Sequence, residues 1–194
     1  MTRAALSLPQ LLSAVALVGA LGFAPVFAAA ATFQISSPAF ADGDMLPVTF
    51  AFEGIGSDNT PCGGSGQSPP LSWTGAPDGT NSFAVTAFDP DGLNGLGVVH
   101  WVLYGIPASV SALPQGAGTP SAQMYVSGIQ QFGTRGFRGF CPPKGQSLHH
   151  YLLTVYALDL APDALKPGLT RADLLTALGG HVLRASSIVG RFGR

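Results

Sequence analysis

Asp89-Pro90-Asp91, His100-Trp101, the run from Gly136 to Pro143 and His149-His150-Tyr151 gather carboxylates, imidazoles, a phenol and a rigid Gly/Pro loop within one stretch of chain. Imidazole N–H groups and a phenol hydroxyl donate hydrogen bonds, and successive backbone N–H groups of a glycine-rich loop can form an anion-binding nest. Together they suit a small pocket for an anionic head group. Asp89 and Asp91 share a face if Pro90 keeps the chain extended. Two carboxylates that close repel, so at least one needs a partner, which an imidazole can supply. The alternative is an Asp-Pro-Asp-Gly turn, with Asp89 accepting backbone hydrogen bonds and Asp91 in solvent.

Strand alternation constrains the histidines. His100 shares a face with Val102 and Tyr104, and Trp101 and Leu103 take the other side. His149 and His150 must face opposite ways, His149 with Tyr151 and Leu153, His150 with Leu152 and Tyr156, so at most one can join His100. Periodicity leaves that choice open. Between Gly133 and Pro143, glycines allow close backbone approach to a ligand while Cys141-Pro142-Pro143 forms a stiff corner; an ordinary loop pinned by a disulfide has the same composition.

The elements that must position these residues read mostly as short strands. Gly and Pro number 26 and 16, and helical periodicity is nearly absent before residue 160. Strands are expected at Phe33 to Ser36, Leu46 to Phe52, Leu71 to Trp73, Ser82 to Phe88, Val98 to Ile106, Leu148 to Leu158 and Ser186 to Phe192. Pro61 to Pro70 is a loop. Pro114 to Lys144 is too long for a hairpin, which marks it as functional or packed over the sheet. One helix is expected near the end, where Thr170 and Asp173 resemble a capping box and Leu174, Leu175, Leu178, Val182 and Leu183 recur at helical spacing. Gly179-Gly180 leaves its end between Leu178 and Leu183.

The chain divides into a leader, residues 1–30, and one domain, residues 31–194. Arg3 is the leader's only charge, Leu6 to Phe27 is apolar or small, and Ala28 to Ala31 offers small residues for signal-peptidase cleavage. The strongest apolar run, Leu11 to Phe23, falls short of the ~20 residues a membrane span needs, so no stable span is expected after cleavage. The protein is expected to be periplasmic or secreted. Nine Lys+Arg stand against ten Asp+Glu; losing Arg3 leaves eight against ten, a mature charge of −2. Nucleic acid, which demands a basic face, is not an expected partner. Cys62 and Cys141 are the two cysteines, and in an oxidising compartment they are expected to pair.

Across Phe33 to Arg194 the chain resembles the phosphatidylethanolamine-binding protein family, in its bacterial Raf kinase inhibitor-like branch. The resemblance rests on Ser68-Pro69-Pro70-Leu71-Ser72-Trp73, Ala76-Pro77-Asp78-Gly79-Thr80, Asp89-Pro90-Asp91, His100-Trp101-Val102, Ile106-Pro107-Ala108, the loop from Gly136 through Cys141-Pro142-Pro143-Lys144-Gly145, and His149-x-Tyr151 followed by Val155-Tyr156-Ala157-Leu158-Asp159. It implies a mostly β fold, one large antiparallel sheet packed against a smaller one, with a short C-terminal helix. It implies a surface pocket formed by Asp89, Asp91, His100, Pro142, His149 and Tyr151 that holds phosphate, a carboxylate or a phospholipid head group, and it selects His149 over His150. The chain departs from the family pattern at Asp91-Gly92-Leu93, where a second proline is usual. It departs also at His150 in place of Arg, Gln67 in place of Asn, and Phe140 in place of a small residue or proline.

The first functional reading is a non-catalytic regulatory or binding protein without cofactor or metal, in which His100, His149 and Tyr151 donate to the anion and the aspartates orient them. Protonating a histidine adds a donor and charge, so phosphate is expected to bind more strongly at pH 5.5 than at pH 8. The alternatives are a hydrolase or transferase using Asp89 and His149 as an acid/base pair, for which no nucleophile motif is present; a divalent-metal site on the acids and histidines, whose spacing is not a ligand signature; and a protein-binding inhibitor of a protease or kinase, implied by family names alone.

Overall fold

The computed structural model describes Met1 and residues 32–119 and 125–194; the expected leader lies outside these. In chain order the strands are β1 (Gln34–Ser36), β2 (Leu71–Thr74), β3 (Ser82–Asp89), β4 (Val98–Pro107), β5 (Ala112–Leu113), β6 (Val126–Ser127), β7 (His149–Leu158) and β8 (Val182–Phe192). The helices are α1 (Gly92–Gly95) and α2 (Arg171–Ala177), with a 3-10 turn at Val48–Phe50. A five-stranded sheet ordered β6-β4-β3-β7-β8 packs against a three-stranded one ordered β1-β2-β5, and their ladder pairings are antiparallel. The fold is mostly β, with a short helix near the C-terminus.

Alternation along β7 explains the packing. His149, Tyr151, Leu153, Val155 and Ala157 are buried. Tyr151, Leu153, Val155 and Ala157 face the small sheet together with Val85, Ala87, Trp101 and Leu103, and meet Ile35, Leu71 and Trp73. Phe83 joins the layers, its ring stacked 6.1 Å from Phe33 and edge-on 5.1 Å from Trp73. On the opposite face Val102, Tyr104 and Leu158 meet Leu174 and Leu178 of the α2 region. There the capping box is complete: Asp173 N–H donates to Thr170 Oγ1, and Thr170 N–H donates to Asp173 Oδ2.

Three expectations need correction. Leu46 to Phe52 is not a strand: Pro47 lacks the N–H a ladder needs, the next residues form the 3-10 turn, and only Ala51 makes an isolated bridge, to Phe140. Val182 and Leu183 belong to β8 and not to the helix, which stops at Ala177; Gly180, at φ +83°, turns the chain before the strand begins. The turn offered for Asp89 to Gly92 runs on into α1, which is left-handed at its centre, with Leu93 at φ +51° and Asn94 at φ +57°, and this continuation the sequence did not suggest.

Candidate functional site

A cavity of about 290 Å³ opens where the ends of β3 and β7 meet β4 and the 132–146 loop; Asp89, His100, Pro142, His149 and Tyr151 line it, and Asp91 does not. The position of His100 corrects the alternation argument. Ala87 pairs with Trp101, but Phe88 pairs with Val99. His100 is therefore the extra residue of a β-bulge. It leaves the face of Val102 and Tyr104, and its ring sits edge-on to Tyr151 (5.4 Å) and Phe140 (5.2 Å). A bulge re-aims one side chain without disturbing the strand beyond it.

Asp89 does the work of both readings of its motif. Its Oδ1 accepts the backbone N–H groups of Asp91 (2.9 Å) and Gly92 (3.0 Å), making the turn, while Oδ2 accepts His149 Nδ1–H at 2.8 Å. The His149 and Asp89 side chains are 5% and 4% exposed. Gly92 is required there: a Cβ would lie 2.6 Å from Val98 Cγ2. Asp91 turns outward to His150, accepting its backbone N–H at 2.8 Å and pairing with its Nδ1 at 3.0 Å. Burial works to raise the Asp91 carboxyl, but the hydrogen bonds and charge of His150 outweigh it and hold it below its ordinary value. Asp91 and His150 thus form an exposed pair beside the site.

The ring nitrogens decide what the histidines offer. His100 Nδ1–H donates to the Arg138 carbonyl at 2.8 Å, and Arg138 N–H returns a bond to the His100 carbonyl at 2.9 Å. Burial, first, and the neighbouring positive charge of Arg138 lower His100 to about 4, against the support of that carbonyl and of Asp89. At neutral pH its Nε2 is consequently a lone-pair acceptor, which replaces the expected donor role. His149 Nε2 lies 3.2 Å from Gln146 Oε1, an acceptor, so this nitrogen donates to the amide oxygen. The Tyr151 hydroxyl is buried and has no hydrogen-bond partner among the described residues. Burial, with the charges of Asp89 and Asp91, raises it far above the ordinary phenol range, so it stays a neutral donor.

Two features escaped the sequence reading. The Arg138 guanidinium lies between the rings of Phe52 and Phe132, 3.9 and 4.0 Å from their centroids, and lines the cavity. Partial burial lowers it, without removing the charge of so basic a group. The isolated arginine in a Gly/aromatic loop was the available signal. The second feature is Arg194, which donates from Nε to the Pro142 carbonyl (2.8 Å) and from Nη2 to both Asp58 oxygens (2.9 and 2.8 Å). Lys144 N–H, first, and Thr60 and Arg194 hold Asp58 well below the usual carboxylate range. The Cys62–Cys141 disulfide, Cα–Cα 5.4 Å, pins the same wall. Gly139 lets the loop run against Ala51 and Phe52, since a Cβ would fall 2.3 Å from Phe52 N. Among the described residues, no three His, Cys, Asp or Glu side chains converge to hold a metal.

The family model for phosphatidylethanolamine-binding protein matches residues 36–193. Protein YbcL of Escherichia coli K12 is 40% identical over 175 residues, 87% of this chain and 88% of its own. The crystal structure of E. coli YbcL, described as a member of the mammalian PEBP family, superposes with a TM-score of 0.76 at 36% identity, covering 84% of this chain and 99% of that one. LppC of Mycobacterium tuberculosis H37Rv, whose name marks it as a candidate lipoprotein, is 35% identical over 164 residues, 84% of this chain and 74% of its own.

Proposed function

The chain belongs to the phosphatidylethanolamine-binding protein family, and on that footing we propose that it is an exported, non-catalytic regulatory protein that binds a small oxyanion or phospholipid head group in the cavity around His100 and Tyr151. The observation that carries this reading is the buried Tyr151 hydroxyl, which has no hydrogen-bond partner among the described residues, in a cavity that the Arg138 guanidinium also lines. A buried donor left unsatisfied costs about 1–3 kcal/mol, which a bound acceptor returns. Asp89, saturated by two backbone N–H groups and His149, orients the imidazole and does not itself meet the anion.

Catalysis has less support. Among the described residues neither His100 nor His149 is hydrogen-bonded to a Ser, Thr or Cys side chain, and Cys141 is held in the disulfide. Nucleophilic catalysis needs such a pair within hydrogen-bond reach.

Export is supported by the leader-like composition of residues 1–30 and by the name of LppC. Among the described residues no helix is long and apolar enough to cross a membrane. N-terminal sequencing of protein from the native envelope is expected to read a start within or just after Ala28 to Ala31; an intact Met1 would remove the export claim.

Calorimetric titration with inorganic phosphate tests the site. A Kd of about 1 mM or tighter is expected, weakened about tenfold by Tyr151→Phe and by Arg138→Gln. Equal affinity in both variants would place the anion elsewhere.

A further inference from the structure

We propose that this cavity selects an oxyanion that still carries a proton, the monoanion of phosphate or of a phosphomonoester, over one that has none to give, such as sulfate or a phosphodiester. The inference rests on the anion-binding reading above and narrows its ligand class. It follows from the direction of the hydrogen bonds already made. His100 gives its Nδ1–H to the Arg138 carbonyl, and its Nε2 has no partner among the described residues. That nitrogen is a lone pair at the wall of an anion site. Facing a fully deprotonated oxyanion, a lone pair repels; facing P–OH, it accepts.

The groups packed around His100 do not change this assignment. From β3, Asp89 contributes a carboxylate whose oxygens are occupied by Asp91 N–H, Gly92 N–H and His149. From β7 come the neutral Tyr151 hydroxyl and His149, whose Nδ1–H is given to Asp89 and whose Nε2 is turned to Gln146 Oε1 at 3.2 Å, so both of its nitrogens are engaged within the protein. The 132–146 loop brings Arg138 and the apolar ring of Phe140. Arg138 and Tyr151 are therefore the donors that meet the anion's oxygens, and His100 Nε2 is the acceptor that meets its proton.

The protonation costs favour the ligand as proton carrier. With His100 near 4, putting a proton on its ring at pH 7 weakens binding by about 1,000-fold, since each pKa unit is tenfold. A phosphomonoester, with its second pKa at about 6, gives up only about tenfold at the same pH. Sulfate has no such route and must pay the larger amount.

The test compares ligands on the unaltered mature protein. Calorimetric titrations at pH 7 use inorganic phosphate, methyl phosphate, sulfate and dimethyl phosphate. Phosphate and methyl phosphate are expected to bind at least about tenfold more tightly than sulfate and dimethyl phosphate. Repeating the phosphate titration at pH 8 in two buffers of different ionisation enthalpy is expected to show uptake of close to one proton per ligand bound. Sulfate binding as tightly as phosphate, or no proton uptake, overturns the inference and leaves the anion-binding reading intact. Failure of all four ligands to bind overturns the anion-binding reading itself. Vesicle flotation separates the sources of the ligand: phosphatidic acid, a monoester, is expected to outcompete phosphatidylglycerol, a diester, if the ligand is a lipid. A preference for the diester contradicts the proposal, whereas methyl phosphate binding with no vesicle association assigns the site to a soluble phosphomonoester.

Discussion

His149 Nδ1 lies 2.8 Å from Asp89 Oδ2, and both side chains are almost wholly buried at the adjacent ends of β7 and β3. The same carboxylate closes the turn into α1 through two backbone N–H groups. Removing it leaves three donors without an acceptor. Asp89→Ala is therefore expected to destabilise the fold by on the order of 3 kcal/mol, read from urea unfolding midpoints at constant m. A loss below about 0.5 kcal/mol would show that water replaces the carboxylate and that the pair is not structural.

Tyr151→Phe is expected to move stability and binding in opposite directions. Among the described residues the hydroxyl has no partner, so deleting it removes a desolvated group and leaves stability unchanged or raises it by up to about 1 kcal/mol. Phosphate affinity is expected to fall about tenfold, or ~1.4 kcal/mol. Parallel thermal unfolding and calorimetry check both signs, and a loss of stability would reveal an internal partner for the hydroxyl.

The lowered His100 titration predicts a slope of stability against pH. Unfolded, the imidazole binds its proton near 6.5; folded, near 4. Between those values the unfolded chain holds the extra proton, so stability rises with pH in this window and is complete above it. Acidification from about pH 6.5 to about pH 4 is expected to cost on the order of 3 kcal/mol from this residue. His100→Gln is expected to flatten that part of the profile, measured by unfolding at several pH values. An unchanged profile would mean that the ring is protonated in the folded protein.

Asp58 acts at lower pH. Its carboxyl is held below the ordinary range by Lys144 N–H, Thr60 and Arg194, so its contribution is present above about pH 4 and is lost as acid titrates the folded form. Asp58→Asn is expected to reduce stability at pH 6 and to make it less sensitive to pH below 4. Because Arg194 also holds the Pro142 carbonyl, the variant is expected to weaken phosphate binding too, and a variant with wild-type affinity would show that this wall needs no such anchor.

Reduction of the Cys62–Cys141 bridge, which joins residues 79 apart, is expected to cost on the order of 3–5 kcal/mol. Unfolding of the Cys62→Ala, Cys141→Ala double variant, compared with the oxidised protein, checks this. A midpoint within error of the parent would show that the loop is held by Arg194 and its packing alone.

The sequence by itself determined the two-sheet β architecture, the cysteine pair, the capping box at Thr170 and the selection of His149 with Tyr151, because each depends on local alternation, on composition or on a motif carried over from relatives. Tertiary structure alone decided the rest. Whether His100 follows Val102 or turns to Tyr151 depends on how β4 is registered against β3, and the bulge that settles it leaves no local periodic trace. Arg138 becomes a cavity cation only because Phe52 and Phe132, distant from each other in the chain, close on its two faces. Asp89 and Asp91 look equivalent in a line of text, yet one is buried under His149 and the other faces out to His150. Residue types are written in the chain, but the direction of each hydrogen bond, and so whether an imidazole gives or takes a proton, is set by which neighbour folding brings to it.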